Sequence, residues 1–295
     1  MGGNEAIGER GIAPPVYRLP AEVRLGRVRL QIAELERSRR YYGEVLGLRE
    51  LERDEGRVVL GSESGEALVE LRERRGARPV PQRGRLGLYH FAILLPDRAA
   101  LGRFLAHLQR AGVYAGMSDH LVSEALYLRD PDGLGIEVYA DRPRSAWRWQ
   151  GGQLAMDTRP LDAEGVLAAG RGERWTGMPP GTTMGHVHLH VGELEAAAAF
   201  YHAALGLDAV VWSYPGALFL SAGGYHHHLG LNTWAAGAPA AGEEDARLLD
   251  WEVVLPSRAD AEAAAASLEA AGYPVARTAE GFRAEDPWGT AVRLV

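Results

Sequence analysis

Short segments in which hydrophobic and polar residues alternate recur along the chain and lead into stretches with helical spacing. The segment HVHLHV (residues 186–191) has the period of two that is typical of a strand with one buried face. It is followed by LEAAAAFYHAALG (residues 194–206), which predicts a helix ending at Gly206, because glycine suits a helix C-terminus. Further short strands follow, with tight turns such as DPDG and DPWG before a last strand. The pattern predicts units of the order β-α-β-β-β.

The chain repeats this unit four times. Residues 25–48 match residues 184–207 along their whole length. A second match aligns YHFAILLP with DWEVVLP, so that Pro96 corresponds to Pro256. The predicted modules span residues 23–75, 85–141, 183–236 and 247–295.

The repeats also define the predicted domain organisation. Residues 23–141 hold the first two modules and residues 183–295 hold the last two, with residues 142–182 as a linker. Residues 1–22 are rich in glycine and proline, so we expect a flexible N-terminal segment. The length of 295 residues agrees with two domains.

Composition excludes several kinds of site. The chain has no cysteine, which rules out disulfides and thiolate metal ligands, so a metal would need histidine and carboxylate. It also has no lysine, which rules out a lysine Schiff base. The net charge of −7 argues against a nucleic-acid partner. No apolar run approaches the length of a membrane span, and the N-terminus lacks an apolar signal core, so we expect a cytoplasmic protein without a membrane partner.

The repeated modules, with the phrases YHFAILLP, SDHLVSEALYLRDPDG and GGYHHHLGLNTW, resemble the vicinal oxygen chelate superfamily. This superfamily includes glyoxalases, bleomycin-resistance proteins and extradiol dioxygenases, and the chain most closely resembles its four-module, catechol 2,3-dioxygenase-like branch. The resemblance covers residues 23–295. It implies an α+β fold in which four βαβββ modules pair into two domains, with curved mixed sheets around a cavity.

The resemblance further implies metal ligands in the first strand of a module and in the last strand after the DPxG turn. These positions hold Arg27, His90, His186 and Asp250 in first strands, and Glu137 and Arg293 in last strands. Pairing consecutive modules always includes an arginine, which cannot bind a cation. Pairing modules two and three gives His90, Glu137 and His186, a set typical of non-haem Fe(II) enzymes, with Mn(II), Zn(II) or Ni(II) as alternatives. We therefore expect the active cavity between the middle modules and a metal-free companion domain from the outer two.

Each ligand candidate also has an ordinary structural interpretation. His90 could be a buried, hydrogen-bonded histidine, and Glu137 could be a surface carboxylate on a strand. His186, however, shares a strand face with His188 and His190, and three buried histidines on one face are costly without partners. We favour the metal interpretation and expect His188 and His228 to line the cofactor site.

Three further residues correspond to the family's catalytic positions. His227, in the run of three histidines, matches a histidine that serves as acid and base beside the metal. In a strand, His226 and His228 would point away from the face that His227 occupies. Tyr127 stands ten residues before Glu137, as a substrate-binding tyrosine does in the family, and His120 matches an upstream histidine. Tyr127 could instead be a core aromatic, and His120 a surface histidine.

The resemblance implies an Fe(II)-dependent extradiol dioxygenase that cleaves a catechol-like aromatic with O2. The alternatives are a metal-dependent lyase or isomerase of the glyoxalase type, and a small-molecule-binding protein without metal. A homodimer is the default expectation for the assembly.

Overall fold

The computed structural model, which describes residues 10–81 and 83–295, contains four units of the order β-α-β-β-β. The first unit contains β1 (Arg24–Ile32), α1 (Leu35–Tyr41), β2 (Arg49–Asp54), β3 (Arg57–Gly61) and β4 (Ala67–Glu73). The second contains β5 (Gly87–Leu95), α2 (Arg98–Ala111), β6 (Gly116–Asp119), β7 (Ser123–Arg129) and β8 (Gly135–Asp141). A connecting segment follows, with β9 (Trp149–Gln150), β10 (Gln153–Leu154) and α3 (Ala163–Ala169).

The second half of the chain repeats the same order. The third unit contains β11 (Thr183–His190), α4 (Leu194–Ala198), β12 (Asp208–Val211), β13 (Ala217–Ser221) and β14 (Leu229–Asn232). The fourth contains β15 (Arg247–Val254), α5 (Arg258–Ala270), β16 (Val275–Thr278), β17 (Gly281–Glu285) and β18 (Ala291–Leu294). Helices α1 and α4 each continue into a π-helical turn, Tyr42–Leu46 and Ala199–Ala204 respectively.

The strands form two eight-stranded mixed sheets. Each sheet combines one module from the first half of the chain with one module from the second half. One sheet has the order β12-β13-β14-β11-β5-β8-β7-β6, and the other has the order β16-β17-β18-β15-β1-β4-β3-β2. In the first sheet β5 and β11 pair antiparallel, and in the second β1 and β15 do so. Modules two and three therefore share one sheet, and modules one and four share the other. The predicted α+β fold class is confirmed.

Helix α2 illustrates how the sequence determines these elements. The Asp97 carboxylate accepts a hydrogen bond from the backbone N–H of Ala100 and caps the first turn. The helix ends at Gly112, whose φ of 67° lies in the left-handed region that glycine adopts without strain. Its buried face includes Phe104 and Leu108, which belong to the main hydrophobic core. Burial of each large apolar side chain of this kind contributes about 1.5–3 kcal/mol.

The segments outside the modules pack against the first sheet. Residues 1–9 of the predicted flexible segment lie outside the described residues. The rest of that segment is anchored, because Ile12 exchanges backbone hydrogen bonds with Ala209 and Arg18 forms a 2.7 Å ion pair with Asp208. In the predicted linker, Trp147 is buried against the rings of Tyr225 and His226. No helix within residues 10–81 and 83–295 is both long and apolar enough to cross a membrane.

Candidate metal centre

Four neighbouring strands of the first sheet place polar side chains in one row across its centre. Tyr127 of β7 pairs with Glu137 of β8, and Glu137 pairs with Ala92 of β5. Ala92 in turn pairs with His186 of β11. Because Ala92 has only a methyl group, the side chains of Glu137 and His186 can meet above it. His90 stands two residues before Ala92, and side chains two apart on a strand share a face.

The structure brings His90, Glu137 and His186 together as one buried group. The Nε2 atoms of His90 and His186 lie 3.0 and 3.1 Å from the same carboxylate oxygen, Oε2 of Glu137. One ligand atom from each residue lies within 4.8 Å of the other two. The three residues are 5%, 2% and 2% exposed. This spacing and this donor set match a facial site of two histidines and one carboxylate.

The hydrogen bonding of this group also fits a cation. His90 Nε2 and His186 Nδ1 are buried and have no hydrogen-bond partner within the described residues. His90 Nε2 is close to Glu137, but the geometry of the approach is not that of a hydrogen bond. Buried polar atoms without partners are rare and call for an explanation. A metal ion would satisfy the free nitrogen of His90.

The pKa shifts of His90, His186 and Glu137 favour the protonation states in which these side chains bind a metal. Burial lowers the pKa of both histidines, against the opposing effect of Glu137, so both imidazoles are neutral near pH 7. Burial alone would raise the pKa of Glu137, but His186 and His90 hold it well below its ordinary value. Neutral imidazole and ionised carboxylate are the ligand forms of these groups.

The group lies in the wall of a cavity of about 210 Å³. Its lining consists of Tyr89, His90, Ser118, His120, Ser123, Tyr127, Glu137, Met156, Asp157, Thr158, His186, His188, Tyr214, Phe219, His227 and Trp234. Residues 156–158 come from the connecting segment between the modules, so this segment closes one side of the cavity. The Thr158 and Tyr214 hydroxyls are 3.0 Å apart and join that wall to the third module.

Tyr127 and His120, which the sequence singles out, are hydrogen-bonded to each other in this cavity. His120 Nδ1 lies 2.9 Å from the backbone carbonyl of Asp157 and therefore donates to it. His120 Nε2 then accepts from the Tyr127 hydroxyl at 2.7 Å. Burial raises the pKa of Tyr127 well above its ordinary value, with Glu137 adding to the effect, so this hydroxyl stays protonated. The pair places polar groups beside the metal candidates, with the ring centroid of Tyr127 5.5 Å from that of His90.

His188 and His190 share the strand face of His186, and Asn232 joins them. The Asn232 amide nitrogen donates to His188 Nε2 at 3.0 Å, and its oxygen accepts from His190 Nδ1 at 2.7 Å. The His188 ring stands edge-on to the His90 ring, with centroids 4.9 Å apart. His188 therefore lines the cavity beside the metal candidates, while its Nε2 is held by the amide of Asn232.

The run of three histidines differs from the strand that the sequence suggested. Strand β14 begins at Leu229, and residues 226–228 form an irregular turn before it, so strand alternation does not apply to them. His227 lines the cavity, with its ring centroid 4.1 Å from that of His186. His226 does not point away from His227: their Nδ1 atoms are 2.7 Å apart.

His228 lies away from the cavity that the sequence predicted for it. Its Nδ1 accepts a hydrogen bond from the backbone N–H of Ala222, and its ring packs against Tyr225. The bend at residues 226–228 turns this side chain towards the loop between β13 and β14. The prediction that His228 lines the cofactor site is therefore corrected.

Three residues that sequence reasoning missed are prominent in the site. Asp141 follows Glu137 by four residues on β8, and this spacing places both carboxylates on one face of the strand. That signal was available in the sequence. Asn232 and Asp157 act through tertiary contacts between separate segments, for which the local pattern offers no signal.

Comparisons with known proteins agree with this fold. A family model described as the glyoxalase/bleomycin resistance protein/dioxygenase superfamily matches residues 24–138 and 183–294. The catechol-2,3-dioxygenase of Bacillus subtilis (strain 168) is 46% identical over 270 residues, which cover 90% of this chain and 94% of that protein. Among solved structures, a proposed dioxygenase from Bacillus subtilis subsp. subtilis str. 168 has a TM-score of 0.65 at 14% identity, covering 94% of this chain and 86% of its own. Glyoxalase I from Zea mays has a TM-score of 0.53 at 19% identity, covering 93% and 92%. At these identities the structural matches establish the fold alone.

Proposed function

This chain belongs to the glyoxalase/bleomycin resistance protein/dioxygenase superfamily, and we propose that within it the protein is an extradiol ring-cleaving dioxygenase. It would open a catechol-like aromatic ring with O2. The observation that carries the proposal is the buried group of His90, Glu137 and His186 in the wall of a cavity that Tyr127 and His227 also line. The similarity to a catechol-2,3-dioxygenase over nearly the whole chain supports the same class of reaction.

We propose Fe(II) as the metal, with His90, Glu137 and His186 as its ligands. Two neutral imidazoles and a carboxylate on one face are the ligand set of non-haem Fe(II) oxygenases, although Mn(II), Zn(II) and Ni(II) also accept it. When bound, such a metal supplies Lewis acidity towards the substrate oxygens and leaves coordination positions open for O2.

The size and lining of the cavity support a substrate with a single aromatic ring. The volume of about 210 Å³ lies below the range of pockets that bind drug-sized ligands. Phe219 and Trp234 offer apolar and aromatic surface, and the rings of His188 and Tyr89 continue it. A ring of catechol size could stack there with its hydroxyls towards the histidines and Glu137.

The remaining cavity residues have complementary roles in this proposal. His227, whose pKa burial lowers well below its ordinary value, is a neutral imidazole that can take a proton from a catechol hydroxyl. The Tyr127 hydroxyl stays protonated, and when substrate binds it can turn its proton from His120 Nε2 to a substrate oxygen that carries negative charge. Before substrate binds, His120 Nε2 accepts that proton at 2.7 Å and keeps the hydroxyl in the cavity, and His188 forms the wall beside His90.

The proposal is tested by anaerobic purification, removal of metal, and reloading with Fe(II), Mn(II) or Zn(II) in parallel. Catechols with small and large ring substituents are then added while oxygen uptake and the yellow ring-cleaved product are recorded. We expect equal amounts of oxygen consumed and product formed, because both oxygen atoms enter the opened ring. Activity only with Mn(II) would overturn the choice of iron while keeping the reaction.

Two outcomes would overturn the dioxygenase itself. Full metal occupancy without oxygen uptake on any catechol would exclude it, and conversion of a thiol adduct of an α-ketoaldehyde under anaerobic conditions would favour a glyoxalase-type isomerase. Tight binding of an aromatic compound without metal and without turnover would favour a binding protein.

A further inference from the structure

Behind His227, a chain of hydrogen bonds runs from the cavity towards the protein surface. The Nδ1 atoms of His227 and His226 are 2.7 Å apart, and His226 Nε2 is 2.9 Å from Oδ1 of Asp141. His226 is completely buried, whereas the Asp141 side chain is 26% exposed. These contacts link the end of β8 to the turn before β14, across 85 residues of sequence.

When His226 is neutral, the chemistry of these groups gives the hydrogen-bond chain one direction. A carboxylate only accepts hydrogen bonds, so the proton of a neutral His226 must lie on Nε2 and be donated to Asp141. His226 Nδ1 is then bare and can only accept, so His227 must carry its proton on Nδ1. The second nitrogen of His227, Nε2, is consequently bare, and among the described residues it makes no hydrogen bond.

A second branch ends on the same carboxylate oxygen. The Tyr225 hydroxyl lies 3.3 Å from Asp141 Oδ1 and donates to it, and the Tyr139 hydroxyl lies 2.6 Å from the Tyr225 hydroxyl. Both branches therefore deliver donors to Asp141. The aromatic rings of Tyr225 and Trp147 pack on His226, with centroids 4.1 and 5.5 Å away, and hold its ring in place.

We propose that Asp141 and His226 are positioning residues, which fix His227 in the tautomer with Nδ1 protonated and Nε2 bare towards the cavity. Only the expected effect on kcat rests on the proposed function. The tautomer of His227 depends on the hydrogen bonds to His226 and Asp141, whatever reaction the protein catalyses. A histidine held in this way meets a substrate hydroxyl with a lone pair, as a general base must. The other tautomer would present an N–H to that hydroxyl and could not accept its proton.

The first test replaces Asp141 and reads the tautomer directly. The ring nitrogens of His227 are observed by ¹⁵N NMR in the metal-free and the Zn(II)-loaded full-length protein, and the signals lost in His227→Phe identify them. The wild type should show a protonated Nδ1 and a bare Nε2. In Asp141→Asn the amide offers a donor as well as an acceptor, so position 141 no longer forces His226 to carry its proton on Nε2, and the share of His227 that is protonated on Nε2 should rise. His226→Phe removes the acceptor of His227 and serves as the second variant if Asp141→Asn does not fold.

The matched control is Tyr225→Phe. It removes a hydrogen bond from the same oxygen of Asp141 but leaves His226 and its carboxylate in contact, so the tautomer of His227 should stay as in the wild type. In the Fe(II)-loaded enzyme, Asp141→Asn should lower kcat by about 10²-fold, the low end of what general acid–base catalysis contributes. The KM for the catechol and the bound metal should stay unchanged.

The outcomes separate this inference from the proposed function. An unchanged tautomer in Asp141→Asn and His226→Phe would overturn the inference, whatever the enzyme does with catechols. Loss of bound metal in Asp141→Asn would also overturn it, because Asp141 would then support the metal site. A shifted tautomer in a protein that cleaves no catechol would uphold the positioning chain and refute the dioxygenase.

Discussion

His90 Nε2 lies 3.0 Å from Oε2 of Glu137, yet it makes no hydrogen bond within the part of the chain that the structure describes. Both groups are buried, and burial lowers the pKa of His90, so the pair is not simply an imidazolium salt bridge. A neutral nitrogen and a carboxylate oxygen that approach without hydrogen-bond geometry are suited to share a cation. His186 approaches the same oxygen from the neighbouring strand.

Replacement of any one of the three candidate ligands should remove the metal. In His90→Ala, His186→Ala or Glu137→Ala, we expect metal affinity to fall by more than the roughly 10–100-fold that loss of an outer hydrogen-bond partner costs. His188→Ala is the control, since that ring lies beside His90 but its Nε2 is held by Asn232. Metal content after anaerobic reloading and dialysis is the measurement. Metal retained in all three ligand variants would refute the site.

His227→Ala should keep the metal and lose turnover. The ring lines the cavity, and its Nδ1 is engaged by His226. The imidazole is therefore available for proton transfer through its other nitrogen, Nε2, and is not needed for metal binding. We expect kcat to fall by about 10²–10⁴-fold, as for removal of a general acid or base. Loss of metal in this variant would instead make His227 a ligand.

The module pattern could be predicted from the sequence because it depends on local spacing. Periods of 2 and 3.6 residues, as in HVHLHV and the segment after it, indicate the strands and helices. A glycine at or just after the end of each module's helix marks where that helix stops. The candidate ligands could be named because the family resemblance implied the ligand positions, and arginine at matching positions then eliminated the other pairings. The structure places His90, Glu137 and His186 in one buried group.

The environment of the histidine run could not be predicted in the same way. Strand alternation assumed that β14 includes residues 226–228, whereas it begins at Leu229. The contact between His226 and Asp141 joins two modules across 85 residues, and such a contact depends on how the sheet is assembled. The wall that Met156 and Thr158 form arises equally from tertiary packing of the connecting segment.

In the second sheet a buried arginine occupies the position that corresponds to His188. The Arg29 guanidinium is 2% exposed and contacts four carboxylates, at 2.6 to 3.4 Å. Its partners are Asp250, Glu252, Glu70 and Glu280. Arg29 pairs with Asp250 across β1 and β15, as His188 pairs with His90 across β11 and β5. A fixed guanidinium thus balances the acidic groups at the centre of this sheet.

Arg29→Met should therefore destabilise the protein strongly without changing its metal content. It removes the fully buried cation of this cluster, so that among the described residues Glu252 keeps only Arg27 and Asp250 keeps only Arg293, both of which are partly exposed. Removing one partner of a buried ion pair costs about 3–5 kcal/mol. Arg24→Met is the matched control, because Arg24 and Glu66 form an exposed pair worth about 0–1 kcal/mol. Urea unfolding of both variants measures the difference. Equal free energies of unfolding would show that the second sheet does not depend on Arg29.

Asp130, in the DPDG turn of the second module, should make stability depend on pH. It is 5% exposed, and its Oδ1 accepts the backbone N–H groups of Asp132 and Leu134, while the Tyr42 hydroxyl donates to Oδ2. Burial raises the pKa of Asp130 to about 7, against these hydrogen bonds.

The sign of the effect follows from the two pKa values. The pKa of Asp130 is about 7 in the folded state and about 3.9 in an unfolded chain. Between these values the folded state holds a proton that the unfolded state has lost, so the contribution of Asp130 to stability falls as pH rises through this window. Asparagine cannot ionise, so the free energy of unfolding of the wild type relative to Asp130→Asn should decrease from about pH 4 to pH 7 and level off above it. Urea unfolding of both proteins at a series of pH values measures this difference. A difference that stays constant, or rises with pH, would mean that Asp130 is ionised in the folded protein throughout this range.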